Sequence, residues 1–243
     1  MTIVLYDVPS TFPGRAWNFN AWKTRLSLNF KRIPYTTQWV EFPDIEPLYK
    51  KLGIPPSKNK ADGTPFYTIP AIHDPSTGAY ITDSILIAEY LDKTYPDSPR
   101  IIPDGTLGVQ SAFNDGVFYN LKTLIPVVFP VFITKLSPRS ADYMLATLGR
   151  GLLDGPGSDA FEQWNTLLFG LQQVDGWFLR NGGKGLYLLG NVPSWADIVV
   201  ASLFLCLRLT FGENSTQWKQ LMAINDGRWK GRIDVYRAWE NSP

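Results

Sequence analysis

Among 243 residues there is one cysteine, Cys206, and one histidine, His73. A single thiol excludes an intrachain disulfide and a metal site built on thiolates. A single imidazole argues against a histidine zinc site and against a serine–histidine–aspartate triad, in which His73 would have to serve alone. Cys206 stands inside the apolar run 201–207, where a cysteine reads as a small buried hydrophobe. An excess of one charge is missing too: 23 Lys and Arg face 22 Asp and Glu, and neither half of the chain departs from that balance. Nothing here predicts an electrostatic footprint for nucleic acid or anionic lipid. No apolar run approaches the ~20 residues that span a bilayer. The opening Met1–Asp7 reads as a strand, not as a basic region followed by an apolar stretch. The expectation is a cytoplasmic protein with neither membrane nor nucleic-acid partners.

Apolar material is plentiful by contrast. Hydrophobic residues make up 44% and aromatics 14%, with 9 Trp. That suffices for a sizeable core, and aromatics also line pockets for flat organic ligands.

The pattern along the chain changes once. Residues 2–7 are short and β-rich. From Asn18 or Asn20, each a suitable N-cap, Trp22, Leu26 and Phe30 recur at spacing four and predict a helix that ends ahead of Pro34. A second strand follows at 35–40, then a helix over 44–52 stopped by Gly53. Residues 54–65 carry Pro55, Pro56, Gly63 and Pro65 and read as a loop. Residues 68–73 and 79–82 predict two strands joined by the turn 74–78, after which Asp83 or Ser84 caps a helix. Beyond a linker near 97–105 the chain reads as helical, with helices expected over 107–134, 139–152, 159–180, 195–210 and 217–224. Pro126 and Pro130 predict a kink in the first of these. Ser194 and Asp197 have the spacing of a capping box ahead of the run 198–207.

Two short motifs carry chemistry. Pro70, at the start of a strand pattern, suits a cis peptide that turns the Ile69 backbone outward toward an extended ligand. Asp83-Ser84, at a helix N-terminus, suits a ligand carboxylate. Alone, each is equally an ordinary strand proline or an ordinary cap.

Together, the βαβ-then-ββα order, the Ile69-Pro70 strand, the Asp83-Ser84 pair 14 residues after Pro70 and the helical second half resemble the cytosolic glutathione transferases. The resemblance runs along essentially the whole chain. It implies an α/β thioredoxin-like domain with a mixed four-stranded sheet (1–98) and an all-α domain (106–243) that contributes the acceptor pocket. It also implies glutathione as co-substrate, no metal, and a homodimer. Carried over residue by residue, Ile69 and cis-Pro70 would meet the cysteinyl backbone of glutathione, and Asp83 and Ser84 its γ-glutamyl group.

The stretch Trp17-Asn18-Phe19-Asn20-Ala21-Trp22-Lys23-Thr24-Arg25 most resembles the fungal-specific class related to bacterial etherases. There a serine precedes an Asn-x-Trp-Lys-x-Arg stretch; here Asn18 holds that place and becomes the candidate catalytic residue. A free thiol titrates near ~8.5, and hydrogen-bond donors near a helix N-terminus lower that value. The Asn18 amide can donate but cannot form a mixed disulfide, and it is equally a plain N-cap. Ser10, Thr11 and Asn20 are the other candidate donors, and Asn20 is also a candidate glutathione contact. Lys58 and Lys60 read as solvated loop charges, with the glycyl carboxylate of glutathione as an alternative partner. For the acceptor pocket the candidates are Phe12, Trp17 and Phe19 on one wall, and Asp115, Phe118, Tyr119, Leu121 and Lys122 on the other.

The function expected is glutathione-dependent conjugation, ether cleavage or peroxide reduction on hydrophobic aromatic electrophiles, with binding of phenolic ligands. A non-catalytic ligandin that sequesters aromatics is the alternative, and a structural subunit a third.

Overall fold

The computed structural model describes residues 2–148, 160–182 and 185–240. The first third forms β1 (Ile3–Asp7), α1 (Phe19–Phe30), β2 (Tyr35–Trp39), α2 (Ile45–Leu52), β3 (Lys58–Asn59), β4 (Pro65–Phe66), β5 (Ala71–Asp74), β6 (Ala79–Thr82) and α3 (Ser84–Thr94). Four strands pair in the order β2-β1-β5-β6. β2 runs parallel to β1, with Ile3 opposite Tyr35, while β5 and β6 are antiparallel to their neighbours. This is the mixed sheet of a thioredoxin-like domain. The segment expected to be a loop holds the β3–β4 hairpin. Each of its strands is two residues long, too short for alternation to register.

α1 departs from the expected single apolar stripe. Residues 23–25 are buried along with Leu26 and Leu28, because the helix packs on α3 on one side and on the later helix Trp195–Phe211 on another. Two of its buried polar groups are paired across the fold, while the Thr24 hydroxyl has no hydrogen-bond partner among the described residues. Arg25 meets Asp7 at 2.9 Å, and the Asn29 amide donates to the Trp239 carbonyl at 2.8 Å.

The helical part comprises α4 (Leu107–Asn120), α5 (Leu124–Ile133), α6 (Pro138–Leu148), α7 (Ala160–Leu179), α8 (Trp195–Phe211), α9 (Thr216–Ala223) and α10 (Arg228–Tyr236). The ends of two expected helices, 149–152 and 159, lie outside the described residues. The single helix expected over 107–134 is two, bent by 79° at residues 121–123. The break thus precedes both prolines. Pro126 falls in the first turn of α5, where an N–H would be unsatisfied anyway, and Pro130 lies inside that helix.

α8 runs through the centre, buried from Trp195 to Leu207, and its apolar surface faces neighbours on all sides. Its capping box is formed. Asp197 accepts from the Ser194 N–H at 2.9 Å, from the Ser194 hydroxyl at 3.1 Å, and from Tyr236 and the Leu188 N–H. Burial pushes the Asp197 carboxyl up to about 6 against those hydrogen bonds. The linker is clamped by Asp92, which accepts from Lys31 at 2.8 Å and from the N–H groups of Ile101 and Ile102. Among the described residues no single helix is long and apolar enough to cross a membrane.

Candidate functional site

Between the sheet domain and α4 lies a cavity of about 480 Å³. Five elements form its walls, beside Trp195 at the start of α8, and each brings its side chains for a local reason.

The first wall is the turn into β5. The Ile69–Pro70 peptide is cis, and β5 starts at Ala71, one residue past the proline. Ile69 therefore lies outside the ladder. Neither its N–H nor its C=O has a partner among the described residues. Buried backbone groups are nearly always paired, and an open N–H and C=O side by side can pair with an extended chain.

The second wall is the start of α3. Asp83 joins β6 to this helix at φ 73° and ψ 128°, a backbone conformation that costs a non-glycine residue on the order of 1–3 kcal/mol. Its carboxylate recovers part of that by accepting the Ile85 N–H at 3.0 Å. Ser84, the first helical residue, is buried, lines the cavity and has no side-chain partner among the described residues. A hydroxyl beside the positive end of a helix dipole can donate to an anion.

The β3–β4 hairpin supplies a third side. The Ser57 N–H donates to the Phe66 carbonyl at 3.0 Å, and its hydroxyl lies 2.8 Å from that of Thr68, which ties the hairpin to the Ile69 edge. Lys58 lines the cavity here, its ammonium over the Phe66 ring; Lys60 shares that ring but stands outside the lining.

α1 and α4 close the cavity. Asn18 is the N-cap of α1, its Oδ1 accepting the N–H groups of Asn20 and Ala21 at 2.9 and 3.3 Å. Asn18 does not line the cavity; Asn20 does, and so does Lys23 one turn further. Lys23 is 2% exposed, and its ammonium donates to Asn114 Oδ1 of α4 at 2.8 Å. It also lies over the rings of Phe118 and Phe19, at 4.8 and 5.5 Å. Burial pushes this lysine down to about 8, while Asp83 and Asp115 act in the opposite sense.

The expected acceptor wall needs correcting. Phe19 and Phe118 do line the cavity and pack on each other, ring centres 5.3 Å apart, and Asp115 lines it too. Trp17 is core instead. Its indole donates to the Val8 carbonyl at 3.0 Å, and its ring packs on Phe132 and Phe42. Phe12 joins that cluster through Phe132. Leu121 is buried at the α4–α5 bend, while Tyr119, 82% exposed, and Lys122 point to solvent. Tyr119 lies one position beyond Phe118, a step that rotates a side chain by about 100° on a helix, and Lys122 stands in the bend between α4 and α5. Ser10 and Thr11 are held in the preceding loop. The Ser10 hydroxyl donates to the Arg15 carbonyl, and the Thr11 N–H to that of Lys135. Cys206 is fully buried against the Trp17 carbonyl, where burial pushes its thiol up. Among the described residues no group of three or more His, Cys, Asp or Glu could hold a metal ion.

Sequence reading missed Lys23, Ser57, Ser111 and Asn114. A signal for the α4 members was present. Ser111, Asn114, Asp115 and Phe118 recur at i, i+3, i+4 and i+7, the spacing of one helix face, and all four line the cavity.

Comparisons with known proteins bear on this geometry. The glutathione S-transferase N-terminal domain profile matches residues 20–94, and the glutathione S-transferase C-terminal domain profile matches residues 108–239. The chain is 30% identical to the glutathione S-transferase-like protein ustS of Aspergillus flavus, over 96% of this chain and 89% of that protein. It superposes with a TM-score of 0.92 on CsGST63524 of Ceriporiopsis subvermispora, solved in complex with glutathione. That protein is 38% identical, with 100% of this chain and 99% of that one covered. GSTFuA3 of Phanerochaete chrysosporium gives a TM-score of 0.92 at 40% identity, covering 99% and 98% of the two chains. With both halves matched and the fold shared end to end, the chain belongs to the glutathione S-transferase family.

Proposed function

We propose that this cavity binds glutathione and that the protein is a glutathione transferase acting on hydrophobic aromatic electrophiles or peroxides. One observation carries the reading. The unpartnered N–H and C=O of Ile69 and the unpartnered Ser84 hydroxyl at the start of α3 open onto one cavity. A tripeptide pairs its cysteinyl backbone with Ile69, sets its γ-glutamyl end at Asp83 and Ser84, and sends its glycyl carboxylate toward Lys58. CsGST63524, a neighbour along the whole chain, holds glutathione, which supports this reading.

The sulfur then lies by the N-terminus of α1. Only a few per cent of a free thiol is ionised at neutral pH, so donors there raise the nucleophile's share. Two amides serve it: Asn20 on the wall, and Asn18, whose side-chain nitrogen has no protein partner among the described residues. The acceptor docks against Phe19 and Phe118. The protein works in the cytoplasm as a homodimer, which sedimentation equilibrium of the purified chain tests for its assembly.

The test is turnover of a panel holding a nitroaromatic halide, an aryl ether and an organic hydroperoxide, each with glutathione present. Turnover of at least one is expected. Asn18 in place of a serine favours a second reading, a ligandin that stores aromatics. Displacement of a bound fluorophore by glutathione and phenols, with no turnover anywhere on the panel, establishes that reading instead.

A further inference from the structure

Lys23 is one of four buried cations among the described residues and the exception among them. The other three, Arg25, Lys31 and Arg232, each meet a carboxylate, on Asp7, Asp92 and Asp175 respectively. Lys23 has no carboxylate within 4 Å; its ammonium is held by the neutral Asn114 oxygen and by two ring faces. An ammonium has three donors, and one is used. A buried charge without an ion-pair partner is costly, and an anionic ligand group beside it lowers that cost.

The groups around Lys23 say which part of a ligand that is. The charges acting on it are Asp83, at the cap of α3, and Asp115, on α4; the third titratable neighbour, Cys206 on α8, is a buried thiol pushed up by burial. Asn20, nearer the proposed sulfur position, is a full turn away along α1. Lys23 lines the same cavity as Asp83 and Ser84, and Asp83 is the carboxylate that acts on it most. The γ-glutamyl end of glutathione is a free amino acid carrying one carboxylate and one ammonium. Asp83 and Asp115 suit its ammonium, and the Ser84 hydroxyl and Lys23 suit its carboxylate.

We propose that Lys23 is a glutathione-binding residue, its ammonium completing an ion pair with the free α-carboxylate of the γ-glutamyl residue. This rests on reading the cavity as a glutathione site, and two tripeptides separate the claims. S-methylglutathione has no ionising thiol; its analogue with γ-aminobutyrate in place of γ-glutamate lacks the α-carboxylate alone. Calorimetric affinities of both are measured for the wild type and for Lys23→Met, which keeps the side chain's length and removes an uncompensated charge. The wild type is expected to prefer S-methylglutathione, and in Lys23→Met that preference falls about tenfold or more. Equal preference in both proteins overturns the proposal alone. Wild type that binds neither tripeptide overturns the glutathione reading and the proposal with it.

A second readout needs no variant. Titrations at pH 8 in buffers of different ionisation heat report protons taken up on binding. An anion placed beside Lys23 holds its proton, so S-methylglutathione is expected to take up a larger fraction of a proton than the analogue. Equal uptake by the two ligands contradicts the ion pair.

Discussion

The side-chain oxygen of Asn18 accepts the backbone N–H of Asn20 at 2.9 Å, so one asparagine fixes the helix turn that presents the other to the cavity. The two residues should separate cleanly on mutation. Asn18→Ala removes the cap of α1 and is expected to cost about 1 kcal/mol, read as a lower urea midpoint. Asn20→Ala should leave stability nearly unchanged and lower turnover of a model electrophile more than Asn18→Ala does, at similar glutathione affinity. A larger turnover loss in Asn18→Ala, with the fold intact, makes Asn18 the principal thiol donor.

Gly170 and the carbonyl of Asn120 pack where α7 crosses the end of α4. A Cβ at Gly170 would lie 2.1 Å from that oxygen and 2.9 Å from a methyl of Leu121. Replacing glycine by alanine inside a helix ordinarily gains up to about 1 kcal/mol. Here overpacking reverses the sign, and Gly170→Ala should lose about 2 kcal/mol or more in denaturant melts. Gly176, on the same helix, has nothing within 4 Å of its added Cβ, so Gly176→Ala should be neutral or stabilising. Equal effects at both positions would contradict the packing described.

Ser194→Ala takes away a buried hydroxyl held by Asp197 and half of the capping box of α8. The cost should be roughly 1–2 kcal/mol in equilibrium unfolding. An unchanged midpoint would mean that the cap contributes nothing.

Lys23 should leave a signature in stability against pH. Its folded value, about 8, lies below the ~10.4 of an unfolded chain. Below pH 8 both states are protonated, and the folded state carries the whole cost of the buried charge. Between pH 8 and about 10.4 the folded state releases its proton first, so this group makes stability rise with pH. Lys23→Met should therefore exceed the wild type in stability by roughly 3 kcal/mol at most below pH 8, the advantage shrinking toward pH 10.4. An advantage that stays constant across that window would contradict the depressed value.

Much of the site was legible because its parts are local. Ile69-Pro70 and Asp83-Ser84 are short motifs whose backbone consequences follow from a proline and from a helix start, and both line the cavity. What the sequence hid depends on partners distant along the chain. Lys23 becomes buried only because Asn114, 91 residues later, and Phe118 cover it. The bend at 121–123 reflects no local breaker. The prolines drew attention to 126–130, where the first tolerates a helix start. α10 was missed because Arg232 interrupts its apolar stripe. Trp229, Arg232, Ile233 and Tyr236 keep the spacing of one face, and Arg232 is buried there by Asp175 and the Phe178 ring.

The most direct test of the proposed function is the electron density of crystals soaked with glutathione. Density is expected for the cysteinyl N–H and C=O paired with the Ile69 backbone and for the γ-glutamyl end against Asp83 and Ser84. Tripeptide density at any other surface, or an empty cavity in crystals holding millimolar glutathione, would contradict it.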